Sequence, residues 1–160
     1  MDVRPYTEED HDVVLALTIE TFRPFFEESM PSVLGERVVE LQHGRWRDDY
    51  REHVPTMHDP DANKFVAVAE HDGEVIGYVG WLLHADPRVG EIEILAVDAA
   101  QRRHQVASAL CAHAFDDMKR RGVEVVELGT GGDWFHAPAR AFYEGLGMTP
   151  FPTVRYYKEL

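Results

Sequence analysis

The sequence predicts an α/β (α+β) fold: a mixed, mostly antiparallel central sheet of six to seven strands flanked by helices, in one domain spanning residues 1–160. Three observations point there. "KFVAVAEHDGEVIGYVGWLLH" is two apolar, β-branched runs joined at Asp72-Gly73, a strong hairpin signal. Strand and helix patterns alternate through the second half, which predicts parallel pairing there. With 160 residues, nearly half of them apolar, the chain can bury one continuous core without disulfides or metals.

Each element has its own signal. "DVRPY" reads as a short first strand. "TEEDHDVVLALTIETF" follows as a helix, with Thr7 and three acidic residues at its front and Val13, Val14, Leu17 and Thr21 at helical spacing. "VLGERVVELQHGRWRDDYREHV" reads as a second helix, interrupted at Gly44. After the hairpin, the loop "ADPRVG" leads into a strand, "EIEILAV". Residues 106–121 form the clearest helix: Ala107, Leu110, Cys111, Ala114 and Met118 line one face, and Gly122 stops it. "VEVVELG" is then a strand, "APARAFYEGLG" a short helix and "VRYYKEL" a last strand.

Composition excludes several functions. With 29 acidic against 16 basic side chains, the surface repels nucleic acid and anionic membranes, so neither is expected as a partner. The same charge is compatible with a cationic small-molecule acceptor. No apolar run approaches the ~20 residues needed to span a bilayer, and the first residues are acidic where a signal peptide is basic. A cytoplasmic location is the expectation. Cys111, the lone cysteine, lies on the apolar helix face and reads as a buried, inert thiol. The nine histidines form no His-x-x-x-His pair beside suitable carboxylates, so no metal is expected.

The segment "AVDAAQRRHQVASAL" joins a strand end to a helix start through a basic turn. Helix N-termini carry unpaired N–H groups and partial positive charge, a natural seat for a pyrophosphate. Arg102, Arg103 and His104 add charge beside it. A basic turn that merely balances an acidic surface explains the same residues. In "GEIEILAV", Glu91 and Glu93 alternate with Ile92 and Ile94, so the two carboxylates share a strand face while the isoleucines enter the core. Proton-transfer work or an ordinary exposed face accounts equally for that pair.

Two segments resemble motifs of the GNAT superfamily of acyl-CoA-dependent N-acyltransferases. The pattern Arg/Gln-x-x-Gly-x-Gly/Ala of its acyl-CoA-binding turn reads here Arg102-Arg103-His104-Gln105-Val106-Ala107, with Gln105 in place of the first glycine. A helix-like conformation at that point would not need a positive φ. "APARAFYEGLGM" is similar to the family's Ala-x-x-Phe-Tyr-x-x-x-Gly-Phe segment, and His136 stands where the family often has Asn seven residues before the tyrosine. The order of elements matches over most of the chain.

The resemblance implies acetyl-CoA as acyl-donor cosubstrate and direct transfer to a primary amine of a small molecule or peptide. Such an amine, with a pKa near ~10, must lose a proton before attack. Glu91 aligns with the base of the histone-acetylating members, and Glu93 is its neighbour on the same face. The resemblance places thioester-polarising backbone N–H groups at Leu95, Ala96 and Val97, and the acid that protonates the departing thiolate at Tyr143. Cofactor contacts would come from Arg102, Arg103, His104, Gln105, Val106, Ala107, Ser108 and His136. "GTGGDWFH" reads as a turn beside the pantetheine arm, and "RPFFEESM" as a wall of the acceptor pocket or a plain helix connection. A non-catalytic acyl-CoA-binding module and a structural dimerisation domain stay open as alternatives. The oligomeric state is not fixed by the sequence; a homodimer is the working expectation.

Overall fold

A computed structural model describes residues 1–102 and 105–160. They group into two compact units, Met1–Thr21 with Arg47–Leu128, and Phe22–Trp46 with Gly129–Leu160.

The first unit is built on one sheet. Its strands are β1 (Asp2–Pro5), β2 (Lys64–His71), β3 (Glu74–Leu83), β4 (Val89–Val97) and β5 (Val125–Glu127), ordered as in the sequence. The first four pair antiparallel and β5 runs parallel to β4, so the sheet is mixed as expected. It has five strands among the described residues, not six to seven. The β2–β3 turn forms where Asp72-Gly73 stands: both residues take positive φ, 52° and 82°, as a tight hairpin turn requires.

Helix α5 (Val106–Arg120) covers one face of this sheet. Its buried stripe is Val106, Leu110, Cys111, Ala114 and Met118, and it joins Phe65, Ala67, Val79, Trp81 and Ile92 in the core. Val106 takes the inward place the spacing gave to Ala107, which is half-buried. Fully burying each large apolar side chain contributes roughly 1.5–3 kcal/mol. Two sheet glycines permit the close approach. A Cβ on Gly77 would stand 3.2 Å from both Val106 and Leu110, and one on Gly90 would stand 2.5 Å from Met118 Sδ.

In α1 (His11–Pro24), Val14 and Thr18 are buried, one helical turn apart, whereas Val13 is exposed. The Thr18 hydroxyl is satisfied at depth, donating to the Val14 carbonyl at 2.7 Å and lying 2.6 Å from the Tyr78 hydroxyl. Near the N-terminus, Arg4 donates to both carboxylate oxygens of Asp10 and to Glu70, which ties β1 to the turn before α1 and to β2.

The predicted second helix is three helices: α2 (Met30–Leu34), α3 (Glu36–His43) and α4 (Trp46–His53). Gly35, at φ 83°, separates the first two, and a turn at Gly44 the others. A π-helical turn, Phe25–Ser29, links α1 to α2 directly after Pro24, whose missing N–H disturbs the regular ladder. Helix α6 (Ala137–Gly145) ends before Gly147, at φ 85°. The expected last strand over 154–160 is absent from the described residues: the segment is coil, with no ladder partner. Val154 and Tyr156 are 73% and 91% exposed there, so the alternating apolar residues that suggested a strand face no core. No described helix is long and apolar enough to cross a membrane.

Candidate functional site

Strand β4 gathers most of the residues that the sequence singled out. It pairs with β5 over three residues only, ending at Glu91↔Glu127. Beyond that point its β5-facing edge has no strand partner among the described residues. Leu95, Ala96 and Val97 lie in this stretch, each paired with β3 on the other side. Backbone donors on the open edge can meet a carbonyl oxygen as negative charge builds on it.

The strand also carries a register slip. Trp81 pairs with Ile92 and Gly80 with Ile94, so Glu93 is the extra residue of a β-bulge. The simple alternation predicted for "EIEI" therefore fails. Ile92 enters the core under α5, while Ile94 packs at Gly80 with Val66 and is only half-buried.

Each glutamate meets an imidazole. Glu93 Oε1 lies 2.8 Å from His53 Nε2, at the end of α4. That bond raises the His53 pKa above its ordinary value, outweighing partial burial. The other oxygen, Glu93 Oε2, is buried and has no hydrogen-bond partner. Glu91 Oε2 lies 3.2 Å from His84 Nε2, just past the end of β3, and Glu127 Oε1 lies 3.3 Å from the same nitrogen. Sequence reasoning did not place His84 against either carboxylate. It missed His53 and Glu127, because their partners are remote in the chain.

The turn into α5 is flanked by Arg102 and Gln105. Arg102 is exposed at the end of a short 3-10 turn, Ala99–Gln101. Gln105 is the N-cap of α5, at φ 61°, in the left-handed region, and its side chain makes no capping bond. The expectation that this position needs no positive φ is thus overturned: the backbone takes the conformation that favours glycine, with glutamine in place. The first intrahelical bond runs from Ala109 N to Gln105 O. The N–H groups of Val106, Ala107 and Ser108 precede it and have no intrahelical acceptor. Arg103 and His104 lie outside the described residues.

The second unit holds His136 and Tyr143. His136 caps the N-terminus of α6, its ring packed between Phe25 and Phe135 at centroid distances of 4.6 and 4.8 Å. Its Nδ1 lies 2.5 Å from Asp133 Oδ1, and Ser29, itself fully buried, donates to Asp133 Oδ2 at 2.5 Å. Burial would push the Asp133 carboxyl up, but the bonds to Ser29 and His136 prevail and hold it below the usual carboxylate range. Arg140 donates to the carbonyls of Gly131 and Asp133. The glycine-rich segment is therefore a braced loop, and the Ser29–Asp133–His136 chain is one the sequence did not suggest. Tyr143 is half-buried on α6, its ring 5.3 Å from that of Phe142.

Comparisons with known proteins bear on the family and the fold. A family model described as "Acetyltransferase (GNAT) family" matches residues 20–148. A mycothiol acetyltransferase of Sanguibacter keddieii is 42% identical over 94 residues, 56% of this chain and 29% of that protein. One from Beutenbergia cavernae is 39% identical over 86 residues, 54% of this chain and 28% of its own length. The chain thus spans less than a third of these curated relatives. Among solved structures, the aminoglycoside N-acetyltransferase AAC(6')-Iy in complex with CoA superposes with a TM-score of 0.69 at 16% identity. That match covers 99% of this chain and 93% of the other, and shows a common fold.

Proposed function

This chain belongs to the acetyltransferase (GNAT) family, and from that premise we propose that it transfers an acetyl group from acetyl-CoA directly to a primary amine. The observation that carries the reading is the joint at Gln105. A left-handed residue turns the chain at the start of α5, where the N–H groups of Val106, Ala107 and Ser108 have no intrahelical acceptor and would, with Arg102, hold a pyrophosphate. Arg103 and His104 belong to the same proposed seat, and His136 to the contact with the pantetheine arm.

The chemistry follows from the residues in named roles. The amine nitrogen attacks the thioester carbonyl, whose oxygen takes hydrogen bonds from the open edge of β4 at Leu95–Val97. A C–N bond forms and the C–S bond breaks. Of the two glutamates, Glu93 is favoured as proton acceptor, because Oε2 is buried and unpaired while Oε1 is held by His53. Glu91 stands beside His84 as its alternate. Tyr143 supplies the proton that the CoA thiolate takes up.

The relatives' names, mycothiol acetyltransferase and aminoglycoside N-acetyltransferase, put small-molecule acceptors ahead of peptides in a screen. A net charge of −13 favours a cationic one. The test is calorimetric titration with acetyl-CoA and with acetyl-pantetheine, followed by a screen of cationic amines for CoA release. Binding that requires the nucleotide half, with turnover on at least one amine, is the expected result. Binding without turnover on any amine would favour the non-catalytic module, and no binding would remove the proposal.

A further inference from the structure

Three neighbouring strands deliver one metal-binding side chain each to a single point. His84 follows β3, Glu91 is on β4 and Glu127 ends β5; the last two are direct register partners. One donor atom from each lies within 4.8 Å of the other two. Two carboxylates opposite one another on paired strands repel, so the arrangement calls for a cation between them.

The imidazole does not meet that need by hydrogen bonding. His84 Nε2 is buried and makes no hydrogen bond among the described residues. Yet Glu91 and Glu127 oxygens lie 3.2 and 3.3 Å away, close enough for one. Distance is satisfied and direction is not: neither oxygen lies along the axis of the ring nitrogen. An ion about 2.0–2.1 Å from that nitrogen would take its other protein ligands from the two carboxylates beside it. Ligands around a tetrahedral ion at that radius stand about 3.3 Å apart, and His84 Nε2 stands 3.2 and 3.3 Å from the two carboxylate oxygens.

We propose that His84, Glu91 and Glu127 bind one divalent transition-metal ion of the zinc class, departing from the sequence expectation of no metal. One nitrogen and two carboxylate oxygens suit zinc, whereas magnesium prefers oxygen ligands alone. Three protein ligands leave a coordination position for water or another small ligand. The ion fastens β5 to β4 at the point where their pairing stops and takes Glu91 out of proton transfer. Glu93, whose partner is His53, is untouched.

The full chain, stripped of metal, is titrated with ZnCl2 by calorimetry at pH 7.5 in a non-coordinating buffer, with MgCl2 in parallel. One saturable zinc site per chain is expected, with no comparable response to magnesium. His84→Ala and Glu127→Gln each weaken it at least tenfold. His71→Ala, which removes a surface histidine beside Asp72, leaves it intact. Glu127 is the most exposed of the three, so Glu127→Gln decides the matter even if His84→Ala fails to fold. The proposal is overturned by the absence of a saturable site, by equal affinity in Glu127→Gln, or by a loss of the site in His71→Ala. Acetyl-CoA affinity, read in the same samples, reports separately on the phosphate seat.

Discussion

The imidazole of His53 and the carboxylate of Glu93 meet at 2.8 Å, which joins the end of α4 to the bulge of β4. Because the Glu93 bond raises the His53 pKa, an NMR titration should find His53 protonating above the ordinary value of about 6.5. In Glu93→Gln the midpoint should move down toward it. The stabilisation is complete below the unfolded-state pKa and fades as pH rises through the raised folded-state value. Melting temperatures of wild type and Glu93→Gln should accordingly converge from pH 6 to pH 9. The effect is small, since His53 is 42% exposed. Parallel melting curves across that range would contradict the assignment.

Asp10 has the opposite sign. Hydrogen bonds from Arg4 lead in holding its carboxyl below the usual range, against the upward push of burial. Its contribution is present above the unfolded carboxylate pKa and is lost as pH falls through the depressed value. Asp10→Asn should cost about 1.5 kcal/mol at pH 7, the low end for bonds to charged groups, because the Arg4 side chain is 37% exposed. Urea unfolding at pH 7 and at pH 2.5 checks this: the difference between the proteins should shrink at acid pH.

At position 105, relief of the left-handed backbone is worth about 1–2 kcal/mol, and glycine's extra freedom when unfolded returns roughly 0.5–1 kcal/mol. Gln105→Gly should be neutral to slightly more stable and should bind acetyl-CoA at least as well. Gln105→Val, β-branched at φ 61°, should be clearly less stable. If valine were tolerated as well as glycine in urea unfolding, the left-handed conformation would not hold in solution.

Tyr143→Phe keeps the ring and removes the phenolic proton. With acetyl-CoA and an amine found by screening, kcat should fall about 100-fold or more. The dissociation constant for acetyl-CoA should stay within about twofold. A matching loss of affinity would mean that the hydroxyl holds the cofactor instead of protonating the thiolate.

Cys111 is fully buried, and that burial pushes its thiol up to about 12. The native protein should be inert to a disulfide reagent at pH 8 and should release one thiol per chain in denaturant. Rapid labelling of the folded protein would show that α5 opens readily.

What could be read from the chain was what neighbours in sequence decide. Asp72-Gly73 specifies its own turn, and the α5 stripe from Leu110 to Met118 follows from helical spacing. Pairing is different. "VRYYKEL" has a strand's alternation, but a strand exists only against a partner. The bulge at Glu93 is set by β3 opposite, so alternation alone placed Ile94 wrongly. The meeting of His53 with Glu93, of His84 with Glu127, and of Ser29 with Asp133 depends on the fold bringing distant segments together. At Gln105 a local rule misled, since glutamine takes a backbone shape that glycine adopts at less cost.

The two glycines beneath α5 give that helix an adjustable ride height. Gly77 lies under its first turns, where a Cβ would stand 3.0 Å from the Ala96 carbonyl oxygen and 3.2 Å from Val106 and Leu110, and Gly90 lies under its last, where the end of the Met118 side chain would have to shift. A methyl at either place acts as a shim: it presses on Val106 and Leu110 at the front of the helix, or on Met118 at the rear. Such a change would press on the proposed pyrophosphate seat while leaving every residue assigned to it in the sequence. Variation between related chains at these two inconspicuous sheet positions is therefore a route by which cofactor affinity can drift without a mutation in the turn itself.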